Sequence, residues 1–335
     1  MTSGTAISVA MATYNGERFL QEQLDSLVRQ TLLPIELVVC DDGSTDSTVE
    51  ILRRFVTSSP FPVRLYQNET RLGPGFNFLS ALARCAGDLV AFCDQDDVWQ
   101  EPKLRICADA MRDPSVALVS HSAAVLSPGP AARRWRYPDH HSCVWRGCGD
   151  FAAHQWELLG FSVMLRRAVL QSAHLPEYSS ALSPWCAHDV WATASALSCG
   201  QVVLLPDELA LHRWHEENAT LRPPAKGLMR IPPMPSELER GVQNFAGLAE
   251  FLRYAASFCD QPARRTFYEY VAQVERSGRL WAERAQLHRT CGNRWAAIRM
   301  FAGMLAKGDY ARRGLGAKAL ARDALLAALW SPSDN

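Results

Sequence analysis

The sequence predicts an α/β fold: a Rossmann-like, mostly parallel central sheet flanked by helices, with a helical C-terminal appendage. Three observations lead there. Short apolar runs alternate with helix-period segments through the first part of the chain. The runs are continuously apolar rather than alternating, as strands covered on both faces are. Polar clusters rich in carboxylates follow the ends of several of these runs, where ligands of open α/β sheets bind.

The elements follow in order. Ile7–Met11 is the first strand and Arg18–Gln30 the first helix. Ile35–Cys40 and Ser47–Phe55 form the next strand–helix pair, with Ser44, Thr45 and Ser47 as N-cap candidates. Val63–Gln67 is strand-like, Gly75–Cys85 helical, and Leu89–Cys93 a further buried strand. Residues 113–225 are rich in Pro, Trp and His and are read as added strands and acceptor-side loops. Pro223-Pro224 and Pro232-Pro233-Met234-Pro235 mark a linker, so residues 1–225 are expected to be the catalytic domain and residues 226–335 a helical region, helical from Glu237 to Trp330.

Of 335 residues, 48% are hydrophobic and 21% charged, an ordinary globular balance with enough apolar side chains for a large core. Net charge is zero, but residues 1–225 carry 18 Lys/Arg against 25 Asp/Glu, and residues 226–325 carry 17 against 9. An acidic first part suits a metal site; a basic tail with Trp281, Trp295 and Trp330 is either a solvated helical face or suited to an anionic membrane surface or an oligomer contact. No nucleic-acid partner is expected. No run approaches the ~18 apolar residues that span a bilayer, and no basic leader precedes the first strand. The expected location is cytoplasmic, with peripheral contact on the inner face of the membrane. Ten scattered cysteines read as reduced, buried thiols.

Three strand ends deliver the polar clusters: Thr13-Tyr14-Asn15, Asp41-Asp42-Gly43-Ser44-Thr45-Asp46, and Asp94-Gln95-Asp96-Asp97. Carboxylates crowded at a strand end repel one another unless they share a cation, and hard oxygen ligands suit Mg²⁺ or Mn²⁺. The bland alternative is an acidic turn capping the next helix. Asp189, in Ser183-Pro184-Trp185-Cys186-Ala187-His188-Asp189-Val190-Trp191, is either a helix N-cap or a general base. His212, Arg213 and His215 cluster tightly. His215 suits a metal or a diphosphate and Arg213 phosphate oxygens, and either could instead order a loop. His140-His141-x-Cys143-x₄-Cys148, with His154 nearby, contains zinc-type ligands at a spacing that matches no standard closed site.

The order ISVAMATYNG, VVCDDGSTDST and AFCDQDDVW, followed by Leu72-Gly73…Asn77 among the intervening residues, His188-Asp189-Val190-Trp191 and His212-Arg213-Trp214-His215-Glu216-Glu217-Asn218, resembles family 2 glycosyltransferases of the GT-A fold. The resemblance spans residues 5–225, and the DQDDVW, HDVW and RWHEEN elements look most like bacterial rhamnosyltransferases of surface polysaccharide (O-antigen) assembly. It implies that Tyr14 packs on a nucleobase, flanked by Thr13 and Asn15. Asp42 would hydrogen-bond that base, with Asp41 near the ribose and Arg71 and Asn77 near the donor. Asp94, Gln95, Asp96 and Asp97 would form the metal and diphosphate motif, with Asp189 as the general base. No role carries to Ala12, where family members often have Thr or Pro. The implied reaction is inverting transfer of a sugar, from dTDP-rhamnose above UDP- or GDP-sugars, to a hydroxyl of a glycan or lipid-linked glycan. Three rivals compete. Asp94-x-Asp96-x-Val98 after an apolar strand formally fits a haloacid-dehalogenase phosphatase with Asp94 as nucleophile, which leaves the two earlier clusters unexplained. Nucleotidyl transfer usually brings a Gly-rich loop, which Ala12-Thr13-Tyr14-Asn15-Gly16 is not. A non-catalytic nucleotide-sugar-binding protein on the same fold is the third.

Overall fold

The computed structural model of the chain describes residues 6–126, 134–136, 140–146, 158–173, 175–177, 179–180, 188–213, 215, 235–257, 261–289 and 294–306. Strands β1 (Ile7–Thr13), β2 (Glu36–Asp41) and β4 (Leu89–Cys93) are buried along their whole lengths, and β3 (Val63–Gln67) is half-buried at the sheet edge. Parallel pairing in the order β3-β2-β1-β4 requires crossovers. Helices α1 (Leu20–Val28), α2 (Thr48–Ser58) and α3 (Pro74–Arg84) supply them.

Each strand divides its side chains between two cores. Val9, Met11, Leu37, Val39, Ala91 and Cys93 pack with Leu24 and Leu27 of α1 and with Ile51, Leu52 and Phe55 of α2. On the other face Phe92 meets Phe78 of α3 edge-on at 5.6 Å. This two-sided cover is why these strands read as unbroken apolar runs.

The sheet continues in residues that carry little local signal. β5 (Val98–Trp99), α4 (Lys103–Ala110), β6 (Val116–Leu126), β7 (Arg134–Arg136), β8 (Cys143–Trp145), β9 (Val163–Arg166), α5 (Val169–Ser172), α6 (His188–Cys199) and β10 (Gln201–Arg213) follow in order. The full order is β3-β2-β1-β4-β9-β6-β10-β5, with β7 on β6 and β8 on β10. β9 is antiparallel to both β4 and β6, and β10 is parallel to β6. Consequently β10 ends at the same edge as β1, β2 and β4. Its register shifts on either side of Glu208, beside Pro206, which cannot donate to a ladder.

One expectation is corrected at the start of α2. Ser47 holds the N-cap position but makes no cap bond with its side chain. Asp46 caps instead: its Oδ1 accepts from the Thr48 amide at 3.0 Å and its Oδ2 from the Glu17 amide at 3.0 Å. A carboxylate can serve two loops at once. A hydroxyl has less reach, and Ser44 is already committed to Asp41 at 2.5 Å.

Cys40, Cys85, Cys93 and Cys107 are buried free thiols, as expected, while Cys143 and Cys199 are exposed. Burial pushes Cys85 and Cys107 up to about 12, which makes them inert.

By contacts the chain divides into two units: Met1–Arg222 with Phe251–Tyr268, and Pro223–Glu250 with Glu269–Asn335. The C-terminal helices are α7 (Pro235–Ser257), α8 (Gln261–Arg289) and α9 (Arg294–Ala306). In the second unit Trp281 packs on Phe245 with ring centroids 5.8 Å apart, beside the buried Arg284. The Trp281 ring is therefore half-buried in its own unit. The side chain of Trp295, all of Trp330 and the linker prolines up to Met234 lie outside the described residues. Among the described residues no helix is long and apolar enough to cross a membrane.

A buried polar knot pins β2 to its neighbours. Glu36 accepts from Ser8 Oγ at 2.6 Å, from the Ala86 amide at 2.6 Å and from Arg64 Nη2 at 2.5 Å. Burial alone would raise the Glu36 pKa, but these donors outweigh it and hold the carboxyl below its ordinary value. A depressed carboxylate contributes stability above its unfolded pKa and loses it as pH falls through the folded value. Wild type should therefore lose part of its stability as pH falls below about 4.5. In Glu36→Gln that component of the fall should be missing, read as urea midpoints between about pH 6 and pH 3.

Candidate active site

Four loops meet at the carboxyl edge of the sheet. At the end of β1, Thr13 Oγ1 donates to Asp41 Oδ1 at 2.9 Å, and Asp41 also takes the Ser44 amide on Oδ2 at 2.9 Å. Asp41 is fully buried, and these bonds fold the loop after β2 over its own strand end. Asn15 sits at φ 48°, in the left-handed region that Asn tolerates better than most residues. That turn aims its Oδ1 at the Thr45 amide, 2.9 Å away. Gly16 donates to Thr48 Oγ1 at 2.7 Å. The loops after β1 and β2 are thus sewn together before any ligand is considered.

Asp42 organises the next loop. Its Oδ1 accepts from the Leu72 amide at 2.7 Å and from Asn68 Nδ2 at 3.0 Å, and its Oδ2 from the Gly73 amide at 2.8 Å. Gly73 is at φ 79°, which suits glycine. Asn77, 2% exposed, donates to Cys40 O at 2.9 Å and accepts from Asn68 at 2.9 Å. Asn77 is therefore a buried brace. The clamped loop carries Arg71, whose guanidinium carbon lies 3.8 Å from the centroid of the half-buried Tyr14 ring.

Gln95 joins β1 to β4 by a two-way clasp: Tyr14 N–H donates to Oε1 at 2.9 Å, and Nε2 donates to Tyr14 O at 2.9 Å. A Cβ on Gly16 would lie 2.3 Å from Gln95 Oε1, so this approach depends on glycine. Beside it, Asp94, Asp96 and Asp97 present carboxylate oxygens that all lie within 4.8 Å of one another. The end of β10 closes over them. His212 Nδ1 meets Asp97 Oδ1 at 2.7 Å, and the Arg213 amide donates to the same oxygen at 3.1 Å. His215 Nε2 meets Asp96 Oδ2 at 2.8 Å, and Arg213 Nε donates to Asp96 O at 3.2 Å.

The electrostatics of this cluster follow from burial and crowded like charge. Burial, then Asp97, Asp96 and, further off, Asp189, push the Asp94 pKa well above the carboxylate range, and His212 only partly opposes them. Burial would lower His212, but Asp97, with Asp94 and Asp96, raises it to about 9. Lys103, fully buried over the Trp99 ring at 3.5 Å and bonded to Phe161 O at 2.7 Å, is pushed down by burial to about 8. Asp97 is wholly buried, and among the described residues its Oδ2 has no hydrogen-bond partner. An orphaned buried carboxylate oxygen inside a carboxylate cluster fits an oxygen-seeking divalent cation such as Mg²⁺ or Mn²⁺.

Asp189 is in the first turn of α6, with its Oδ1 2.8 Å from the Val190 amide. Its charge acts on Asp94 from a separate element. The preceding His188 stacks on Phe78 at 4.1 Å and meets Phe92 edge-on at 5.0 Å, wedging the start of α6 against the sheet. Of the possible zinc ligands, His140 instead meets Ser120 Oγ at 3.1 Å, and Cys148 and His154 lie outside the described residues, as do Trp214 and 216–218. Asn68, Lys103 and Phe19 are site neighbours that sequence reasoning missed. A buried lysine leaves no local pattern, and an asparagine after an edge strand reads as an ordinary turn.

The chain is similar to known proteins in sequence and in fold. Residues 8–171 match the family described as Glycosyl transferase family 2. A dTDP-rhamnosyl transferase of Shigella flexneri is 34% identical over 105 residues, which is 30% of this chain and 36% of that one. The chain spans 37% of the length of a Nostoc relative and 59% of a mycobacterial one. The fold is that of TarS of S. aureus, solved with UDP-GlcNAc, at TM-score 0.54 and 20% identity over 91% of this chain and 93% of that one. It is equally that of a mannosyltransferase of Pyrobaculum calidifontis solved with GDP-Man and Mn²⁺, at TM-score 0.55 and 18% identity over 97% and 87%. These likenesses establish the GT-A-type architecture.

Removing the Asp42 carboxylate should free the loop that it clamps. Asp42→Ala leaves the Leu72 and Gly73 amides without their acceptor and should cost about 1–3 kcal/mol in urea unfolding. Hydrogen exchange should quicken at those two amides, while the amides of β1 keep their protection.

Proposed function

We propose that the chain is an inverting, metal-dependent glycosyltransferase. It transfers a sugar from a nucleoside-diphosphate donor to a hydroxyl of a glycan or lipid-linked glycan. The observation that carries this reading is the acidic cluster at the end of β4, with a separate carboxylate, Asp189 at the start of α6, among the charges that act on Asp94. Leaving-group stabilisation and proton abstraction need two different acidic centres, and they occur here on different elements.

Each residue then has a task. Tyr14 offers an aromatic face to the nucleobase, with Thr13 and Asn15 shaping its loop. Asp42 and Asp41 hold the walls of the nucleotide site, and Asp42 carries the loop that brings Arg71 over Tyr14. Asn77 braces that wall. Gln95 keeps the diphosphate motif against the nucleotide loop. Asp94, Asp96 and Asp97, with His215 at the rim, would hold Mg²⁺ or Mn²⁺. When bound, that cation neutralises charge developing on the departing diphosphate. Arg213 stands at the same rim, suited to phosphate oxygens. Asp189 takes the proton of the acceptor hydroxyl as its oxygen bonds to the anomeric carbon. The bond from that carbon to the diphosphate breaks on the opposite side, the diphosphate leaves with the electron pair, and the configuration inverts.

Rhamnose from dTDP-rhamnose is the favoured donor. Support comes from the DQDDVW and HDVW elements together with the similarity to the Shigella dTDP-rhamnosyl transferase. Surface polysaccharide synthesis at the inner face of the membrane is the matching setting, with residues 226–335 as the helical region that docks or oligomerises. The phosphatase reading has no use for the loops around Tyr14 and Asp42.

Two measurements test this. Donor with Mn²⁺ should raise the melting temperature of wild type, dTDP-rhamnose more than UDP-glucose, UDP-GlcNAc or GDP-mannose, and Asp96→Asn should lose the rise. No shift with any donor would overturn the reading. Asp189→Asn should lower kcat by about 10²–10⁴ while the donor-induced shift stays. Unchanged turnover in that variant removes Asp189 from its role.

A further inference from the structure

Phe19 stands outside every motif, yet its ring lies at the rim of the acidic cluster. It occupies the N-cap position of α1, where its side chain makes no cap bond. The His215 ring lies 4.7 Å from it, and the Arg213 guanidinium carbon lies 4.9 Å from its centroid. One turn along the same helical face, Glu22 Oε2 meets Arg213 Nη2 at 2.5 Å. Arg213 and His215 are also the side chains that grip Asp96, one on its carbonyl and the other on its carboxylate. The path from Phe19 and Glu22 to Asp96 is therefore continuous contact across 191 residues of sequence from Glu22 to Arg213.

The parts differ in weight. The Glu22 carboxylate is 62% exposed, and such a pair contributes little by itself. An aromatic face is a stiffer support. It offers Arg213 a cation–π contact and His215 a ring contact, and it limits the rotamers of two side chains leaving a strand end. Together they hold Asp96 from two sides.

We infer that the first turn of α1, through Phe19 and Glu22, sets the geometry of Asp96 toward the divalent cation. The inference rests on the metal-dependent reading above. Phe19 and Glu22 are positioning residues: neither supplies a metal ligand. Groups that orient metal ligands typically change metal affinity by about 10–100-fold when lost.

The test is Mn²⁺ binding by the whole chain, without donor or acceptor, followed by calorimetry and by the electron-paramagnetic-resonance signal of free Mn²⁺. Phe19→Ala should weaken Mn²⁺ binding about tenfold or more, and Phe19→Tyr, which keeps the ring, should restore it. Glu22→Ala, a change at an exposed position, should weaken binding several-fold with a melting temperature in EDTA like that of wild type. It carries the test if Phe19→Ala fails to fold. Wild-type affinity in both alanine variants, or a Tyr variant as weak as the Ala variant, overturns the inference. Wild-type binding lost in Asp96→Asn would in that case leave the metal site itself standing. Failure of wild type to bind Mn²⁺ overturns both.

Discussion

The pairing of Asp97 with His212 is the interaction on which the site depends. Asp97 follows the buried strand β4, and His212 ends β10, on the far side of β9 and β6. A wholly buried carboxylate is costly unless it is paired, so the cluster after β4 stands only if the end of β10 reaches it. The sheet order makes that possible. With β9 reversed between β4 and β6, the strands β6 and β10 again point the way β1 and β4 do. One bond of 2.7 Å thereby ties the half of the sheet that holds β1, β2 and β4 to the half that carries Arg213 and His215.

The carboxylates at this edge divide into two groups by what they already hold. Asp41, Asp42 and Asp46 are committed to backbone amides and hydroxyls, and they shape three loops into one surface. Asp94, Asp96 and Asp97 crowd together, and burial and these neighbours hold Asp94 well above the ordinary carboxylate range. The first group makes the site rigid. The second keeps like charges close, which is stable only with positive charge nearby, and His212 and Lys103 provide some of it from inside the protein.

Much of the first half was legible from the sequence because its signals are local. Strands covered on both faces leave unbroken apolar runs, and the expected Val63–Gln67 and Leu89–Cys93 coincide with the observed strands. The helix expected at Gly75–Cys85 is observed at Pro74–Arg84. The clusters at the ends of β1, β2 and β4 meet because parallel strands place their carboxyl ends on one edge. The α2 cap was misread because Ser44 and Ser47 carry the usual capping signal, while Ser44 is taken by Asp41 within its own loop and Asp46 also holds the Glu17 amide of another loop.

By itself, then, the sequence determined the sheet class, the strand ends that carry chemistry, and the acidic cluster, since each follows from periodicity or from neighbouring residues. Only the tertiary structure decided which acidic groups hold the loops together and which gather at the end of β4. It alone brought Arg71 over Tyr14, His212 to Asp97, and Phe19 beneath Arg213 and His215. Those contacts join residues far apart in the chain. Their energies depend on burial and on competition for each donor, which no local pattern records.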